Sequence, residues 1–377
     1  MSNLKILVIF GTRPEAIKMA PVIAELSRRD GFEVKVCFSG QHREMVEQVL
    51  AVFGIRPDFD LAVMKRDQSL ADVTVGVLSG LEELFRSYRP DMILVQGDTT
   101  TVLASALAAF YHRIPVGHVE AGLRTGDRFS PYPEEMNRLL ATRLSDLHFA
   151  PTETAKRNLL RENVAEAAIR VTGNTVIDAL FAARDKLLAD NERFSELETR
   201  FSFLDPGKKT VLVTGHRREN HGDGIRNLCS ALRTLARRGD VELVYPVHPN
   251  PSVSDVAAKE LAGVENVHLI PPLDYLSFIY LMRRSFFVVS DSGGVQEEAP
   301  SLGKPVLVVR ESTERPEAVA AGTCRLVGAD PARIVAESEL LLDDPGEYRR
   351  RASIANPFGD GRAAVRIAEA VEEYFSR

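Results

Sequence analysis

The sequence has few cysteines and no long apolar run. Its three cysteines, Cys37, Cys229 and Cys324, stand far apart among 377 residues. They lack metal-ligand spacing and imply no disulfide framework, so we expect a reducing compartment. The hydrophobic opening from Leu4 to Phe10 is too short for a signal-peptide core or a membrane span, and it predicts a first strand instead. By exclusion, we expect a soluble, cytoplasmic protein with no membrane association.

A basic face and two common nucleotide-binding signatures are also missing. The formal net charge is −6 and the basic residues are not clustered, which argues against a nucleic-acid partner. The loop after the first predicted strand, GTRPE, is neither G-x-G-x-x-G nor a Walker A loop. Nicotinamide and ATP binding therefore lose their main support.

What is present is a regular alternation of strand and helix signals. The length and the 45% apolar content predict two α/β domains. Short apolar runs separated by helical segments are typical of a parallel, doubly wound, Rossmann-like sheet. In the first half, the predicted strands are 4–10, 34–38, 92–96, 114–119, 147–150 and 169–171. The predicted helices there are 14–29, 44–53, 70–88, 99–111, one from 133, and 154–160.

The same alternation restarts after a crossover at 173–209, which consists of a predicted helix from Gly173 to about Leu188 and a polar stretch from Asp190 to Lys209. Its predicted strands are 211–214, 243–247, 267–270, 286–290, 306–309 and 325–327. We expect a first domain at 1–172 and a second at 173–361, with an amphipathic helix in 362–377 that returns to the first domain. Two such domains facing each other create a cleft, which is the default ligand site.

Charge is densest from Val116 to Arg138. Glu120 follows a predicted core strand, and ligands of open α/β sheets gather at the carboxyl ends of strands. Pro133 is expected at the first position of a helix, which places Glu134 in the first turn, four residues before Arg138. The alternative is purely structural: acids favoured by the helix dipole and one i,i+4 salt bridge. That alternative leaves Glu120 unexplained.

Two further loops follow predicted strands in the first half. Gly11–Glu15 opens a helix whose N-terminus can hold an anion, with Arg13 and Lys18 supplying charge. The alternative is an ordinary strand–helix turn. In Gly97–Thr101, Asp98 is either the N-cap of the next helix or a site residue, and the two roles are compatible.

The second half contains two candidate phosphate contacts. His216 follows a strand and lies beside an arginine pair, although a single histidine is more often structural. In Ser290–Glu298 a strand ends, Gly293 and Gly294 let backbone amides approach a phosphate, and a helix starts. Glu298 then lies one turn into that helix, where it can accept hydrogen bonds from ribose hydroxyls. Without a ligand, the two glycines would be turn residues only.

These stretches together resemble the non-hydrolysing UDP-N-acetylglucosamine (UDP-GlcNAc) 2-epimerases over essentially the whole chain. The resemblance implies a two-domain, glycosyltransferase-B-like fold and reversible conversion of UDP-GlcNAc to UDP-ManNAc. It also implies no cofactor, no metal, a homodimer and a role in cell-surface polysaccharide biosynthesis. The matching stretches are GTRPEAIKMAPVI, GQHREM, GDTTT, HVEAGLRTGD, PEEMNR, VTGNTVIDAL, TGHRREN, PVHPNP, SDSGGVQEEAPSLGKPV and TERPEAV.

The resemblance also implies a mechanism. UDP is eliminated to leave a bound 2-acetamidoglucal, and C2 is reprotonated from the other face as UDP adds back. The implied carboxylates are Asp98, Glu120 and Glu134, with Arg138 and His216 in support. Which carboxylate takes the proton and which returns it is left open.

Two sets of binding residues follow from the same resemblance. The implied UDP contacts are Arg13, Lys18, His216, Phe278, Ser292, Gly293, Gly294, Glu298 and Arg315. Some bacterial members bind a second UDP-GlcNAc as an activator. The residues that resemble that allosteric site are Gln41, Gln68 and His248.

Other activities stay open on the sequence alone. One is an epimerase for another UDP-2-acetamido sugar, such as a diacetamido-uronic acid nucleotide, and a second is a hydrolysing form that releases ManNAc and UDP. A third is a glycosyltransferase on the same fold, against which the acids of GDTTT, HVEAG and PEEMNR argue. A catalytically silent nucleotide sensor is the least favoured, because every carboxylate motif is intact.

Overall fold

The fold is taken from a computed structural model that describes residues 3–40, 43–64, 68–217, 220 and 222–376, with backbone alone at 43–45. The chain forms two compact units. The first contains Met1–Ala182 together with Phe358–Arg377, and the second contains Ala183–Pro357. The domain boundaries expected from the sequence, after 172 and after 361, stay a prediction.

The first unit is a seven-stranded parallel sheet with helices on both faces. Its strands are β1 Leu4–Phe10, β2 Phe32–Phe38, β3 Phe59–Asp60, β4 Met92–Gln96, β5 Val116–Val119, β6 Leu147–Ala150 and β7 Ile169–Val171. Its helices are α1 Arg13–Ser27, α2 Arg43–Phe53, α3 Leu70–Ser87, α4 Thr100–Tyr111, α5 Glu134–Leu144, α6 Glu153–Arg161 and, at the end of the chain, α16 Ala363–Phe375. Helix α7, Thr175–Ala189, begins in the first unit and ends in the second.

The strand order of this sheet is β3-β2-β1-β4-β5-β6-β7. Val8 of β1 is paired with Val36 on one side and Leu94 on the other. The order reverses between β1 and β4, and the carboxyl ends of strands at such a switch point form the usual ligand crevice of a doubly wound sheet. The loops that follow β1, β4 and β5 all meet at that edge.

Strand β1 shows why this sheet is buried on both sides. Ile6 and Val8 pack in a core that includes Met19 of α1 and Ile367 of α16. The intervening Leu7 belongs to a second core on the opposite face, formed with α3 and α4. Successive strand residues point to opposite faces, so an uninterrupted apolar run fits a strand that is covered twice.

The second unit is a six-stranded parallel sheet with the order β10-β9-β8-β11-β12-β13. Its strands are β8 Lys209–Thr214, β9 Val241–Pro246, β10 Val267–Ile270, β11 Phe287–Ser290, β12 Val306–Val308 and β13 Cys324–Leu326. Its helices are α8 Asn191–Arg200, α9 Asp223–Leu235, α10 Pro251–Leu261, α11 Tyr275–Arg284, α12 Gly293–Glu298, α13 Pro316–Ala321, α14 Pro331–Asp343 and α15 Pro345–Ala352. The order reverses between β8 and β11, so the loops after these two strands mark the second switch point.

The predicted fold class, two parallel doubly wound sheets, is confirmed. The crossover at 173–209 was wrong in part, because α8 lies within it and buries only Leu197 along its length. Strand β3 has two residues and was not predicted. No described helix is long and apolar enough to cross a membrane.

Candidate active site

A buried carboxylate ties together two loops at the switch point of the first unit. Glu15 is 2% exposed and accepts hydrogen bonds from the backbone N–H groups of Gly11 and Thr12, at 3.0 and 2.7 Å. Its other oxygen accepts from the Thr99 hydroxyl at 2.7 Å, in the loop after β4. Burial raises the pKa of Glu15, and these hydrogen bonds oppose the rise. The loops that carry Arg13 and Asp98 are therefore held in one arrangement by a single side chain.

Glu120 occupies the first position after β5 in an unusual backbone conformation. Its φ is 64°, in the left-handed region that non-glycine residues rarely adopt. Its carboxylate accepts hydrogen bonds from Lys18, from Gln96 at 3.1 Å and from Asn174 at 3.3 Å. Strained conformations of this kind persist where surrounding contacts hold them and are concentrated at functional sites. The structure thus brings Lys18 of α1 against Glu120, a contact that the sequence did not indicate.

Asp98 is paired with Arg138 across the same edge. Arg138 Nη2 donates to Asp98 Oδ2 at 2.5 Å, and Asn137 donates to the backbone carbonyl of Asp98 at 2.9 Å. Arg138 also lies 3.3 Å from Glu135, which is 1% exposed. Glu135 in turn accepts from the backbone N–H of Gly126 at 3.1 Å, so it links the loop after β5 to α5. Arg138 bridges two carboxylates and fixes the position of Asp98.

Glu134 differs from the other carboxylates. Its Oε2 is buried and has no hydrogen-bond partner among the described residues. A buried carboxylate oxygen without a donor is costly, and such exceptions call for a functional explanation. Glu134 also begins α5, where the helix dipole favours negative charge.

A neutral histidine supports the loop after β4. His118 is fully buried in β5, and its Nε2 lies 2.7 Å from the carbonyl oxygen of Gly97. Burial, with further contributions from Arg124 and Arg138, lowers the pKa of His118 to about 4. The ring is therefore neutral near pH 7, and Nε2–H donates to Gly97, the residue before Asp98.

Two local predictions for this region were wrong, and the salt bridge of the structural alternative is not supported. Thr99, not Asp98, is the N-cap of α4, and its side chain accepts from the N–H of Val102. Pro133 is the N-cap of α5 and not its first helical residue. The structure gives no Glu134–Arg138 ion pair among the described residues, because Arg138 is engaged by Asp98 and Glu135 instead.

Arg13 is exposed and makes no hydrogen bond or ion pair to any residue that the structure describes. Arg124, also within the charged segment, binds Glu162 through two hydrogen bonds of 2.6 and 2.8 Å. Of the two arginines, only Arg13 is left available to a ligand at this edge.

In the second unit a buried aspartate organises the loop after β8. Asp291 has no exposed surface, and its Oδ2 accepts from the backbone N–H groups of His216 and Arg217, both at 2.9 Å. Asn220 adds a third bond at 3.1 Å. Asp291 Oδ1 lies 3.5 Å from Nδ1 of His216, so the same carboxylate faces the imidazole. His216 was predicted from the sequence, whereas the aspartate that holds it was not.

Two guanidinium groups flank the first residue of α12. A Cβ added at Gly293 would lie 3.5 Å from Nη2 of Arg315 and 3.7 Å from Nη2 of Arg217. Arg315 is oriented by Glu297, which accepts from its Nε at 2.6 Å. A glycine here leaves the backbone open beside two cations, which suits an anionic ligand.

The remaining predicted contacts of the second unit lie around the same helix. Glu298 accepts a hydrogen bond from the Tyr275 hydroxyl at 3.0 Å and lies 3.8 Å from a Cβ built at Gly294. Ser292 is the N-cap of α12, and its N–H donates to Ser290 Oγ at 2.9 Å. Phe278 is half-buried in α11, the helix that also carries Tyr275.

The three residues of the predicted allosteric set have different outcomes. Gln41 lies outside the described residues, as does the neighbouring segment 65–67. Gln68 is half-buried in the first unit and donates to the sulfur of Met64 at 3.2 Å. The imidazole of His248 stacks on that of His216, with ring centroids 5.6 Å apart and an interplanar angle of 15°. Two of these residues, Gln68 and His248, are therefore in different units.

Within the part of the chain that the structure describes, no three His, Cys, Asp or Glu side chains form a group that could hold a metal ion. The described contacts of Glu15, Asp98, Glu120 and Glu135 are instead with arginine, lysine, amide, hydroxyl and backbone donors.

Residues 24–372 match the family model described as UDP-N-acetylglucosamine 2-epimerase. The chain belongs to the UDP-N-acetylglucosamine 2-epimerase family. It is 55% identical over 370 residues to the UDP-N-acetylglucosamine 2-epimerase of Escherichia coli K12, covering 98% of each chain. It is 54% identical over 372 residues to the enzyme of the same name from Salmonella typhimurium, covering 98% of this chain and 99% of that protein.

Solved structures of this epimerase family share the fold. The Neisseria meningitidis UDP-GlcNAc 2-epimerase bound to UDP-GlcNAc superposes with a TM-score of 0.92 at 50% identity, covering 98% of this chain and all of that one. The Methanocaldococcus jannaschii enzyme in complex with UDP-GlcNAc and UDP gives a TM-score of 0.82 at 32% identity, with coverage of 98% and 100%. The family resemblance expected from the motifs is confirmed.

Four supporting residues were not predicted as site residues from the sequence: Glu15, Glu135, Arg217 and Asp291. Only Glu15 had a usable local signal, since Thr12 and Glu15 form the T-x-x-E capping box that starts α1. The others act through backbone groups or through partners distant in sequence, which residue type alone does not reveal.

Proposed function

We propose that the protein is a non-hydrolysing UDP-GlcNAc 2-epimerase that interconverts UDP-GlcNAc and UDP-ManNAc. The observation that carries the proposal is the set of three carboxylates, Asp98, Glu120 and Glu134, at the carboxyl edge of the first sheet in a chain of this family. Two of them are paired with cations, and the third has a buried oxygen without a donor. A glycosyltransferase does not need so many acids at one edge.

The proposed first step is elimination. A carboxylate takes the proton from C2 of the sugar, the C1–O bond breaks, and UDP leaves with that electron pair to give 2-acetamidoglucal. The C2 proton is not adjacent to a carbonyl, so the step needs a positioned base together with stabilisation of positive charge at C1 and negative charge on the diphosphate. Return of a proton to the opposite face of C2 and re-addition of UDP complete the epimerisation.

The contacts favour a division of roles among the carboxylates. Glu134 can accept a proton without first breaking a hydrogen bond, which suits an acid/base group on one face. Asp98 and Glu120 are paired with the cations Arg138 and Lys18, and two carboxylates fixed in this way suit stabilisation of an oxocarbenium-like centre. The acid/base group of the second face is assigned to this pair.

In the second unit, the proposed role of the loops is to bind UDP. The backbone at Gly293 and Gly294, the N-cap Ser292, and the cations Arg217 and Arg315 are assigned to the diphosphate. His216 joins them, held by Asp291. Glu298 is assigned to the ribose and Phe278 to the uracil side, while Arg13 and Lys18 remain proposed UDP contacts of the first unit.

The deciding experiment is proton NMR of the purified protein with UDP-GlcNAc in D₂O and no added cofactor. Epimerisation by elimination and re-addition places deuterium at C2 while UDP-ManNAc grows to a stable mixture. Free ManNAc with UDP would show hydrolysis instead. An unchanged spectrum would contradict the proposal for this substrate and direct the assay to diacetamido-uronic acid nucleotides and to acceptor sugars.

We also propose a homodimer, and exposed apolar side chains on α3, α4 and α5 support it. Helix α4 packs against both neighbours. Phe110 and Tyr111 of α4 are 59% and 67% exposed, and Val75, Met136 and Leu140 extend the apolar surface. A surface of this kind usually marks an interface.

Sedimentation equilibrium should give twice the chain mass, and Tyr111→Glu should shift the measured mass toward that of one chain. A single-chain mass for the unmodified protein would contradict the dimer.

A cytoplasmic location and a role in cell-surface polysaccharide biosynthesis complete the proposal. The support is the nucleotide-sugar substrate that the family name implies. Fractionation of the producing cell tests the location, and loss of a ManNAc-containing polymer on deletion tests the role.

A further inference from the structure

The second unit contains an open cavity with an unusually basic lining. Its volume is about 510 Å³, and it is lined by Arg184, Arg283, Ser301, Leu302 and Lys304. Three of these five side chains are cationic, one carries a hydroxyl group, and none is a carboxylate. Such a lining suits an anion better than an apolar or cationic ligand.

The cavity is separate from the loops assigned to UDP. Arg283 ends α11 just before β11, and Lys304 lies just before β12. Both side chains therefore belong to the amino end of the parallel sheet, whereas the loops after β8 and β11 lie at the carboxyl end. A ligand in this cavity would occupy a different edge of the same unit.

Two of the cations lack a compensating charge. Neither Arg283 nor the amine of Lys304 makes a hydrogen bond or ion pair with any residue in the described ranges. Lys304 is half-buried, and burial together with the charge of Arg283 lowers its pKa. A partly buried lysine facing another cation destabilises the fold unless an anion offsets both. Arrangements that break a local rule in this way are concentrated at functional sites.

The hydroxyl group completes the donor set. Ser301 Oγ accepts a hydrogen bond from Asn356 Nδ2 at 2.6 Å, so its own O–H remains to donate. Arg184 comes from the second half of α7, in the part of that helix that belongs to the second unit. We propose that this cavity binds an oxyanion of the phosphate type, held by Lys304 and Arg283 with Ser301 as a hydroxyl donor and Arg184 at its rim. The proposal does not rest on the proposed epimerase activity.

Equilibrium dialysis of the full chain against labelled inorganic phosphate, with no UDP present, tests the site. We expect one bound phosphate per chain that depends on this cavity, with at least a tenfold weaker affinity for it in Lys304→Met and in Arg283→Met. Lys259→Met is the matched control, because Lys259 is an exposed lysine of the same unit and its loss should leave affinity unchanged. Absence of phosphate binding, equal binding by Lys304→Met, or an equal loss in Lys259→Met would each overturn the proposal.

The thermal unfolding temperature of Lys304→Met provides an independent test of the site. Without phosphate, Lys304→Met should unfold at the same temperature as the unmodified protein or higher, since it removes an uncompensated cation. With phosphate, only the unmodified protein should be stabilised. A destabilised Lys304→Met in phosphate-free buffer would contradict the repulsion on which the site depends. Repeating the dialysis with AMP distinguishes a phosphate ester, which would bind more tightly than inorganic phosphate, from the free ion.

Discussion

The carboxyl group of Asp291 has no exposed surface, and the backbone N–H groups of His216 and Arg217 donate hydrogen bonds to it. Hydrogen bonds to a charged group contribute about 1.5–3 kcal/mol each, so the loop conformation depends strongly on this carboxylate. At the scale of single residues, several of the proposed ligand-binding side chains are positioned by buried groups that would not themselves touch the ligand.

Replacing Asp291 by asparagine should therefore weaken UDP binding without unfolding the protein. We expect a dissociation constant about tenfold higher, equivalent to roughly 1.4 kcal/mol, because a neutral amide oxygen is a weaker acceptor for the N–H groups of His216 and Arg217 than a carboxylate oxygen. Isothermal titration with UDP measures it. Asp330→Asn is the control, since Asp330 caps α14 and asparagine caps as well. Equal UDP affinity in Asp291→Asn and the control would contradict a positioning role for Asp291.

Substitutions of carboxylates in the first unit should impair turnover, whereas substitution of Glu298 in the second unit should impair nucleotide binding. Glu120→Gln and Asp98→Asn are expected to abolish turnover while UDP affinity stays within roughly a factor of ten. Glu298→Ala should instead lower the affinity for UDP itself. Parallel assays of turnover and UDP titration check both, and circular dichroism confirms folding. Unchanged UDP affinity in Glu298→Ala would remove the ribose assignment.

At the scale of elements, α1 and α3 offer a matched comparison. Both start with a capping box, but the acid of α1, Glu15, is buried, whereas Ser69 and Asp72 of α3 are exposed. Water can replace a lost acceptor at an exposed cap and cannot do so at a buried one.

Glu15→Ala should therefore cost about 1–3 kcal/mol of unfolding free energy, since it leaves the buried N–H groups of Gly11 and Thr12 without an acceptor. Asp72→Ala should cost less than about 1 kcal/mol. Urea denaturation of both variants measures the difference. Similar costs for the two substitutions would mean that burial of Glu15 adds nothing to the capping box.

Strands and helices were predicted well where burial produces a recognisable pattern of apolar residues, and poorly where it does not. Strands β1, β4, β6, β7 and β10 were predicted with the bounds that the structure shows, because each is a short apolar run. Helix α8 was missed because it buries a single leucine and so has no apolar stripe. Two residues are too few for β3 to show any alternation.

The sequence was enough to predict which residues belong to the site. It was not enough to predict their positions or their pairing. Asp98 was identified from its place after a strand, but the turn at Gly97, with a φ of 80°, puts Thr99 and not Asp98 in the capping position. The pairing of Lys18 with Glu120 joins residues 102 positions apart. Contacts of that kind depend on strand order, which no local pattern specifies.

At the scale of the whole molecule, stability should depend on two buried histidines. Burial lowers the pKa of His118 to about 4 and that of His148 to about 3, against about 6.5 in an unfolded chain. Between these values the unfolded state binds more protons, so stability falls as pH drops from about 6.5 toward 4. Glu15 and Asp178 have raised pKa values and act in the opposite direction.

His148→Gln should flatten this dependence. Between pH 6.5 and 5.0 the variant should lose about 2 kcal/mol less than the unmodified protein, because one depressed histidine no longer titrates. Urea midpoints at both pH values test this. Parallel curves for the two proteins would show that His148 is not buried in its neutral form.

The three thiols should be unreactive in the folded protein. Cys37, Cys229 and Cys324 are buried, and burial raises the pKa of each to about 12. Because the thiolate is the reactive form, Ellman's reagent at pH 8 should label none within minutes and all three in denaturant. Rapid labelling of one cysteine under native conditions would locate a region that opens readily.

The return of α16 to the first unit has a consequence for the order in which the chain folds during synthesis. Ala364, Ile367 and Val371 pack in the same core as β1, so the unit begun first on the ribosome is the last to be completed. The second unit, a continuous segment of 175 residues from Ala183 to Pro357, emerges whole before that core can close. A nascent chain whose residue 360 has just left the ribosome would therefore carry a finished second unit and a first unit whose apolar α1 face is still uncovered, which is where a chaperone would be expected to bind.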